Sequence, residues 1–343
     1  MNTFIPPFDV QKILVAPWTT DFASYGWIAL MGFFVATACG LVGNYLILRR
    51  MALVGDAISH SVLPGLVVAY LLAGTRHSTV MFAGALVAGL LTTVLIEVIH
   101  KKSRVKQDAA IGITFSSLFA IGVILISHFA SKVDLDQECV LYGEIGNIPL
   151  DGPYVQLGSL VLGPPTMVRM AVVTLIVVLL IAVFYKELLV SSFDPGLAFS
   201  LGINATVVHY SLMSMLSVVV VSAFESVGAI LVIAMLILPG ATASLLSHRL
   251  PVIFLLTVLH AALSSVLGVH LALWLECSIA GAMVVMAAVL FVLAWIFSPT
   301  QGLLRRWLRM RQPVESPVWL FRRGPERPAQ SSSSIRCSSA SVL

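Results

Sequence analysis

From about residue 25 to residue 297 the chain is almost continuously apolar, with only short polar punctuation. Each unbroken stretch is about 20 residues long, enough for one helix to cross a bilayer's hydrocarbon core. In hydrocarbon every backbone N–H and C=O must be paired within the protein, which leaves only helices or a closed barrel. The stretches do not alternate in ten-residue segments, which argues against a barrel. Composition agrees: of 343 residues, 59% are hydrophobic and 10% are charged. The sequence therefore predicts an all-α polytopic membrane protein.

Spans are expected at about 25–48, 52–73, 78–99, 109–130, 170–185, 207–223, 227–247, 251–274 and 277–297. The stretch 207–247 is too long for one span, and Glu225 and Gly228 mark its break. A re-entrant turn at that break leaves eight spans instead of nine. Three regions follow: a surface segment 1–24 with a short amphipathic helix over 8–16, a membrane domain 25–298, and a tail 299–343. The tail is basic, then serine-rich at Ser331–Ser334, and is expected to be largely disordered. Pro6, Pro7 and Pro17 interrupt the N-terminus, which lacks the basic and apolar regions of a cleavable signal.

Loop charges orient the chain. Arg49-Arg50, Lys101 to Lys106, Lys186, His248-Arg249 and Arg305 to Arg311 fall on one side if nine spans alternate. The positive-inside rule makes that side cytoplasmic, with the C-terminus inside. Arg76 is the main exception. The net charge of +4 is a tail property, since eight of the twenty Lys and Arg lie from Arg305 onward. It describes no nucleic-acid face, although Arg305 to Arg311 can rest on anionic lipid headgroups. The outer loop from about Ser131 to Arg169 carries Asp134, Asp136, Glu138, Glu144 and Asp151, and attracts cations or a basic partner unless it is simply solvated. The four cysteines, Cys39, Cys139, Cys277 and Cys337, form no C-x-x-C pair and no disulfide framework.

Against this apolar background a few polar residues stand out. Asp56 and His60 lie in Gly55-Asp56-Ala57-Ile58-Ser59-His60-Ser61-Val62-Leu63-Pro64-Gly65. Their i, i+4 spacing puts them on one helix face, about 5–6 Å apart at Cβ. An ionisable pair in membrane sequence is expensive to keep, so it reads as a site on a polar pathway. The alternative is a polar pair hydrogen-bonded between packed helices. Carboxylate and imidazole are half of a divalent-cation site, and a two-fold dimer would supply the other half. Pro64 removes a backbone bond to residue 60 and is a candidate kink or gate.

A second motif is Asp194-Pro195-Gly196-Leu197-Ala198-Phe199-Ser200-Leu201-Gly202-Ile203. Asp194 can cap a helix that starts at Pro195, and Gly202 can end it. Leu197, Ala198 and Leu201 would share an apolar docking face on the cytoplasmic side. Glu225 either lines the pathway, caps a half-helix or is solvated near the outer surface. Pro239-Gly240 suggests a second kink among small residues that permit close packing. His270 and Glu276 read as interfacial, and Glu97 with His100 reads as a polar helix end.

With these motifs on one chain, the sequence resembles the permease subunits of bacterial ABC-type manganese, zinc and iron importers. The resemblance rests on the Asp56/His60 and Asp194–Ile203 motifs and on Val227-Gly228-Ala229-Ile230-Leu231-Val232-Ile233-Ala234-Met235-Leu236-Ile237-Leu238-Pro239-Gly240-Ala241-Thr242-Ala243, and covers about residues 20–298. It implies the metal-ion/cobalamin type of importer fold in a bacterial plasma membrane. It also implies a second permease copy or paralogue, a cytoplasmic ABC ATPase dimer and an extracytoplasmic metal-binding protein. Asp56 and His60 would bind the passing ion, and Asp194, Pro195, Gly196, Ala198, Leu201 and Gly202 would form the helix that meets the ATPase. The cargo would be Mn(II), Fe(II) or Zn(II), with no permanently bound cofactor; the Ile-Ser-His-Ser-Val-Leu-Pro-Gly form looks closer to the manganese and iron group.

The chain has no G-x-x-x-x-G-K-[ST] phosphate loop, so ATP hydrolysis would belong to a partner. A proton-coupled secondary metal transporter, with Asp56, His60 and Glu225 as relay, is the alternative from another class. An intramembrane hydrolase has little support, since neither H-E-x-x-H nor a Gly-x-Ser-x-Gly elbow occurs.

Overall fold

The computed structural model of the chain describes residues 6–7, 9–19, 21–74, 78–129, 145–157, 160–298 and 302. A π-helical turn, Gln11–Val15, runs into the short helix α1 (Ala16–Thr19). Four long helices follow: α2 (Phe22–Leu48), α3 (Val54–Ala73), α4 (Ser78–Lys102) and α5 (Gln107–Phe129). After a 3₁₀ turn at Ile145–Leu150, strands β1 (Val155–Leu157) and β2 (Leu160–Gly163) form an antiparallel hairpin. This small hairpin, within the segment expected to be loop, is the sole strand pairing among the described residues. Then come α6 (Pro165–Val183), α7 (Tyr185–Phe193), α8 (Pro195–Ser200), α9 (Ala205–Leu246), α10 (Leu250–Leu275) and α11 (Ile279–Phe297).

Eight of these helices have a stretch long and apolar enough to cross a membrane, and Leu231–Leu246 adds a shorter apolar one. The break expected in 207–247 is a real one. Gly228 has φ +78° and ψ +167°, torsions outside the helix and accessible chiefly to glycine. On α3, the face left open by Gly55 is filled by both Val220 and Leu236. Sixteen residues of straight helix would hold those two about 24 Å apart. The chain therefore folds back at Gly228, and α9 is a helical hairpin. Pro239 introduces no second break, since the torsions around it remain helical. Helix α3 likewise continues through Pro64.

Small residues bring the helices together. Gly43 lies against the backbone carbonyl of Leu236, Gly40 against Thr257 and Pro239, and Gly65 and Gly84 against each other's backbone. In a bilayer such close approaches, which maximise van der Waals contact, replace the hydrophobic drive that folds soluble chains. Helix α2 is the central post: Met31, Val35, Cys39, Val42 and Leu46 are fully buried. A buried hydrogen bond of 3.0 Å from Asn44 Nδ2 to Thr257 Oγ1 ties it to α10.

The N-terminal surface helix is present and is strapped down at the end of α10. Trp18 donates to His270 Nε2 at 3.1 Å, and the other ring nitrogen of His270 donates to the Ile13 carbonyl at 2.9 Å. Trp274 donates to the Pro6 carbonyl, and Lys12 pairs with Glu276 at 3.1 Å. The interfacial roles expected of His270 and Glu276 are thus spent on one contact, the N-terminal strap.

Candidate functional site

Helix α3 positions the first motif. Its well-buried residues, including Ala57, Ile58, Ser61 and Val62, face the neighbouring helices. Leu53, Asp56, His60 and Leu63 form the less buried stripe, spaced three or four residues apart. His60 Nε2 lies 3.3 Å from Asp56 Oδ1, and the two side chains are 30% and 41% exposed. From α5, Phe115 and Phe119 wall the imidazole, with ring centroids 5.4 and 6.1 Å away. Pro64 packs against Gly122 of the same helix. Beyond Pro64, an apolar cavity of about 650 Å³ opens among α3, α4 and α5, with Leu118 and Ile121 on its wall. Among the described residues, no three His, Cys, Asp or Glu side chains gather to hold a metal ion. Asp56 and His60 are thus a pair of donors on a half-open face.

The second motif folds as its residues dictate. Asp194 Oδ1 accepts from the backbone N–H of Gly196 and Leu197 at 2.9 and 3.0 Å, capping α8 at its start. At the other end Gly202 has φ +77°. Ile203 N–H bonds to the Ala198 carbonyl and Gly202 N–H to the Phe199 carbonyl, the paired bonds of a Schellman stop. Leu197, Ala198 and Leu201 do not share one docking face. Ala198 is fully buried against the body of the protein, while Leu197, Phe199 and Leu201 are 50%, 82% and 60% exposed. The presented apolar surface is therefore Leu197, Phe199 and Leu201. The segment is too short for a full amphipathic stripe, so a single buried alanine anchors it.

Other candidates fare differently. Glu225 falls in α9 near the break at Gly228, and its side chain lies outside the described residues. The loop acids Asp134, Asp136, Glu138 and Glu144, the exception Arg76 and the basic tail from Arg305 also lie outside them. Pro239 packs against Gly40, and Gly240 against Asn44, which makes this a close helix contact. Glu97 does not pair with His100. It binds Lys101 Nζ at 2.7 Å and His209 Nε2 at 3.0 Å, while His100 reaches only the Val105 carbonyl at 3.3 Å.

Two features escaped the sequence. Arg49 reads in sequence as one more loop cation, but its guanidinium donates to Ser192, Ser191 and His209 at 3.1, 2.9 and 3.0 Å. Burial draws its pKa below the usual guanidinium value. His260 is 4% exposed inside α10; its Nε2 donates to the Ala287 carbonyl, and its Nδ1 has no partner. An ionisable residue inside apolar sequence was the signal available for both His209 and His260.

Comparison with known proteins settles the family. Residues 22–298 match the model of the ABC 3 transport family. The chain belongs to that family. This ABC 3 chain is 46% identical over 283 residues to the manganese transport system membrane protein MntD of Bacillus subtilis, covering 82% of this chain and 95% of that one. It is also 46% identical over 284 residues to the zinc transport system membrane protein TroD of Treponema pallidum, covering 83% and 77% of the two chains. Among solved structures it is similar to PsaBC from Streptococcus pneumoniae in complex with Fab, with a TM-score of 0.70, 34% identity, and coverage of 89% and 100%. A putative metal-chelate type ABC transporter in an inward-facing conformation shares the fold at a TM-score of 0.61 and 17% identity, over 84% and 91% of the chains. The chain is thus a multi-pass membrane permease of ABC type, with the fold expected from its sequence.

Proposed function

We propose that this ABC 3 chain is the membrane subunit of an ATP-driven importer that carries a divalent transition-metal ion into the cytoplasm, with Mn(II) favoured over Fe(II) and Zn(II). The observation that carries this reading is the Asp56–His60 pair, 3.3 Å apart and partly exposed on α3. Two donors each about 2.1 Å from one ion stand about 3.0 Å apart at a right angle and about 3.4 Å apart at the tetrahedral angle. The observed spacing falls between these, so one ion fits both atoms. Carboxylate and imidazole suit Mn(II), Fe(II) and Zn(II) alike. The preference for Mn(II) comes from the Ile58–Gly65 motif and from relatives named for manganese.

Two donors do not complete an ion's coordination. A partly exposed ionisable pair is also costly against lipid. Both facts support a second permease copy or paralogue facing the α3 stripe, contributing its own pair around a shared axis. Pro64 is the gate candidate next to the pair, with Glu225 and Pro239 as further pathway candidates on α9. The segment from Asp194 to Gly202, which contains α8 and its caps, is the surface for a cytoplasmic ABC ATPase dimer. An extracytoplasmic metal-binding protein would deliver the ion, in a bacterial plasma membrane with the permease C-terminus inside.

The test is metal accumulation in cells carrying the complete importer, with Mn, Fe and Zn read together by elemental mass spectrometry. Asp56→Ala and His60→Ala are expected to reach the membrane at wild-type levels and to lose uptake of one metal. Undiminished uptake in both would make the pair structural and sink the reading.

A further inference from the structure

The base of α8 is joined to the α2–α3 turn, which leads into the helix bearing Asp56 and His60, by a half-buried polar junction. Helix α7 ends at Phe193 and leads through Asp194 into α8. Its last turn carries Ser191 and Ser192, and Arg49 donates a hydrogen bond to each, at 2.9 and 3.1 Å. Arg49 stands at the end of α2, in the turn that starts α3 five residues later, with Asp56 in the first turn of that helix. The third guanidinium contact is His209 Nδ1 at 3.0 Å. A guanidinium has only hydrogens to give, so Nδ1 accepts and the proton lies on Nε2. That Nε2–H donates to Glu97 Oε2 on α4 at 3.0 Å. Glu97 is 7% exposed, and its other oxygen holds Lys101 at 2.7 Å. Helix α4 in turn crosses α3 where Gly65 and Gly84 meet backbone to backbone.

We infer that Arg49 is a positioning residue for transport: it locks the segment carrying α8 to the α2–α3 turn, so that a displacement of α8 by the ATPase is passed to the helix bearing Asp56 and His60. The planar guanidinium is suited to this because its donors form a rigid fork that fixes three acceptors at once. The hydroxyls and the imidazole are neutral acceptors. The junction can therefore change partners without stranding a second charge, unlike a buried ion pair. The inference rests on the reading of α8 as the ATPase-facing element.

The experiment uses the whole importer, purified and reconstituted with its ATPase and metal-binding protein. Delivery of whichever of Mn(II), Fe(II) and Zn(II) the wild type transports is measured together with ATP hydrolysis. Arg49→Gln is expected to assemble and keep basal ATP hydrolysis, while metal delivered per ATP falls about 10-fold. Arg49→Lys, which keeps the charge but not the fork, is expected to fall between the two. Ser191→Ala with Ser192→Ala removes two acceptors with almost no change in volume; it is expected to reproduce the loss, and decides the question if Arg49→Gln fails to accumulate. Wild-type delivery per ATP in the serine pair, or in an assembled Arg49→Gln, overturns the inference. Phe199→Asp is run in parallel. Release of the ATPase by that variant, with normal transport in Arg49→Gln, refutes the role of Arg49 alone. Retention of the ATPase and of transport refutes the reading of α8 and takes the inference with it.

Discussion

At the scale of single residues the fold depends most on atoms that are missing. A Cβ on Gly84 would meet the backbone of Gly65 and the side chain of Ala69. Gly84→Val is therefore expected to wedge α4 away from α3 and destabilise the protein by about 1–3 kcal/mol. A lower thermal unfolding midpoint in detergent, with Gly112→Ala as a control at an open position, checks this. Asp56 and His60 were legible in the sequence because their geometry is local: one helical turn fixes it. Arg49, His209 and Glu97 were not, because the contacts span 160 residues from Arg49 to His209 and 112 from Glu97 to His209. No periodicity encodes a meeting of that range. The two phenylalanines flanking His60 were missed for the same reason, since α5, which carries them, reaches His60 only through packing.

At the scale of elements, α8 shows how few residues can define a helix. Asp194 supplies its first two N–H groups with an acceptor, and Gly202 releases the chain at its end. Asp194→Ala is expected to cost the helix about 1 kcal/mol. Gly202→Ala is expected to cost about as much through the left-handed torsion. Hydrogen exchange should register the first as faster exchange at Gly196 and Leu197, whose N–H groups lose their acceptor. It should register the second at Ile203. Both caps were readable from sequence, since they depend on residue type at fixed offsets. The facing of Ala198 was not, because a six-residue helix has less than two turns in which to display a stripe. The break in α9 was readable in place but open in kind. The hairpin is revealed by the face of Gly55, which meets residues on both arms.

For the whole molecule, the hairpin decides the parity of the chain. Folding back at Gly228 returns α9 to the side on which it began, as nine alternating passes require. In the orientation proposed above, loops at Arg49, Lys101 and Arg249 share the cytoplasmic face, and Cys277 lies on the opposite one. With Cys277 as the single remaining cysteine, a membrane-impermeant maleimide is expected to label intact spheroplasts, as Cys277 is exposed. Labelling only after lysis would reverse the orientation. The sequence proposes this topology through hydropathy and loop charge, which are one-dimensional signals. It did not supply the N-terminal strap, whose bonds join residues 252 to 268 positions apart. That strap has a consequence for biogenesis. Chains emerge from the ribosome N-terminus first, so Trp18 and Lys12 leave it long before His270, Trp274 and Glu276 exist. The strap's polar groups must wait in water while seven further helices are threaded, and they close only onto α10, the last but one. Closure ties a segment made before these helices to one made after most of them, so a docked strap is a mark that the translocon has threaded the helices between.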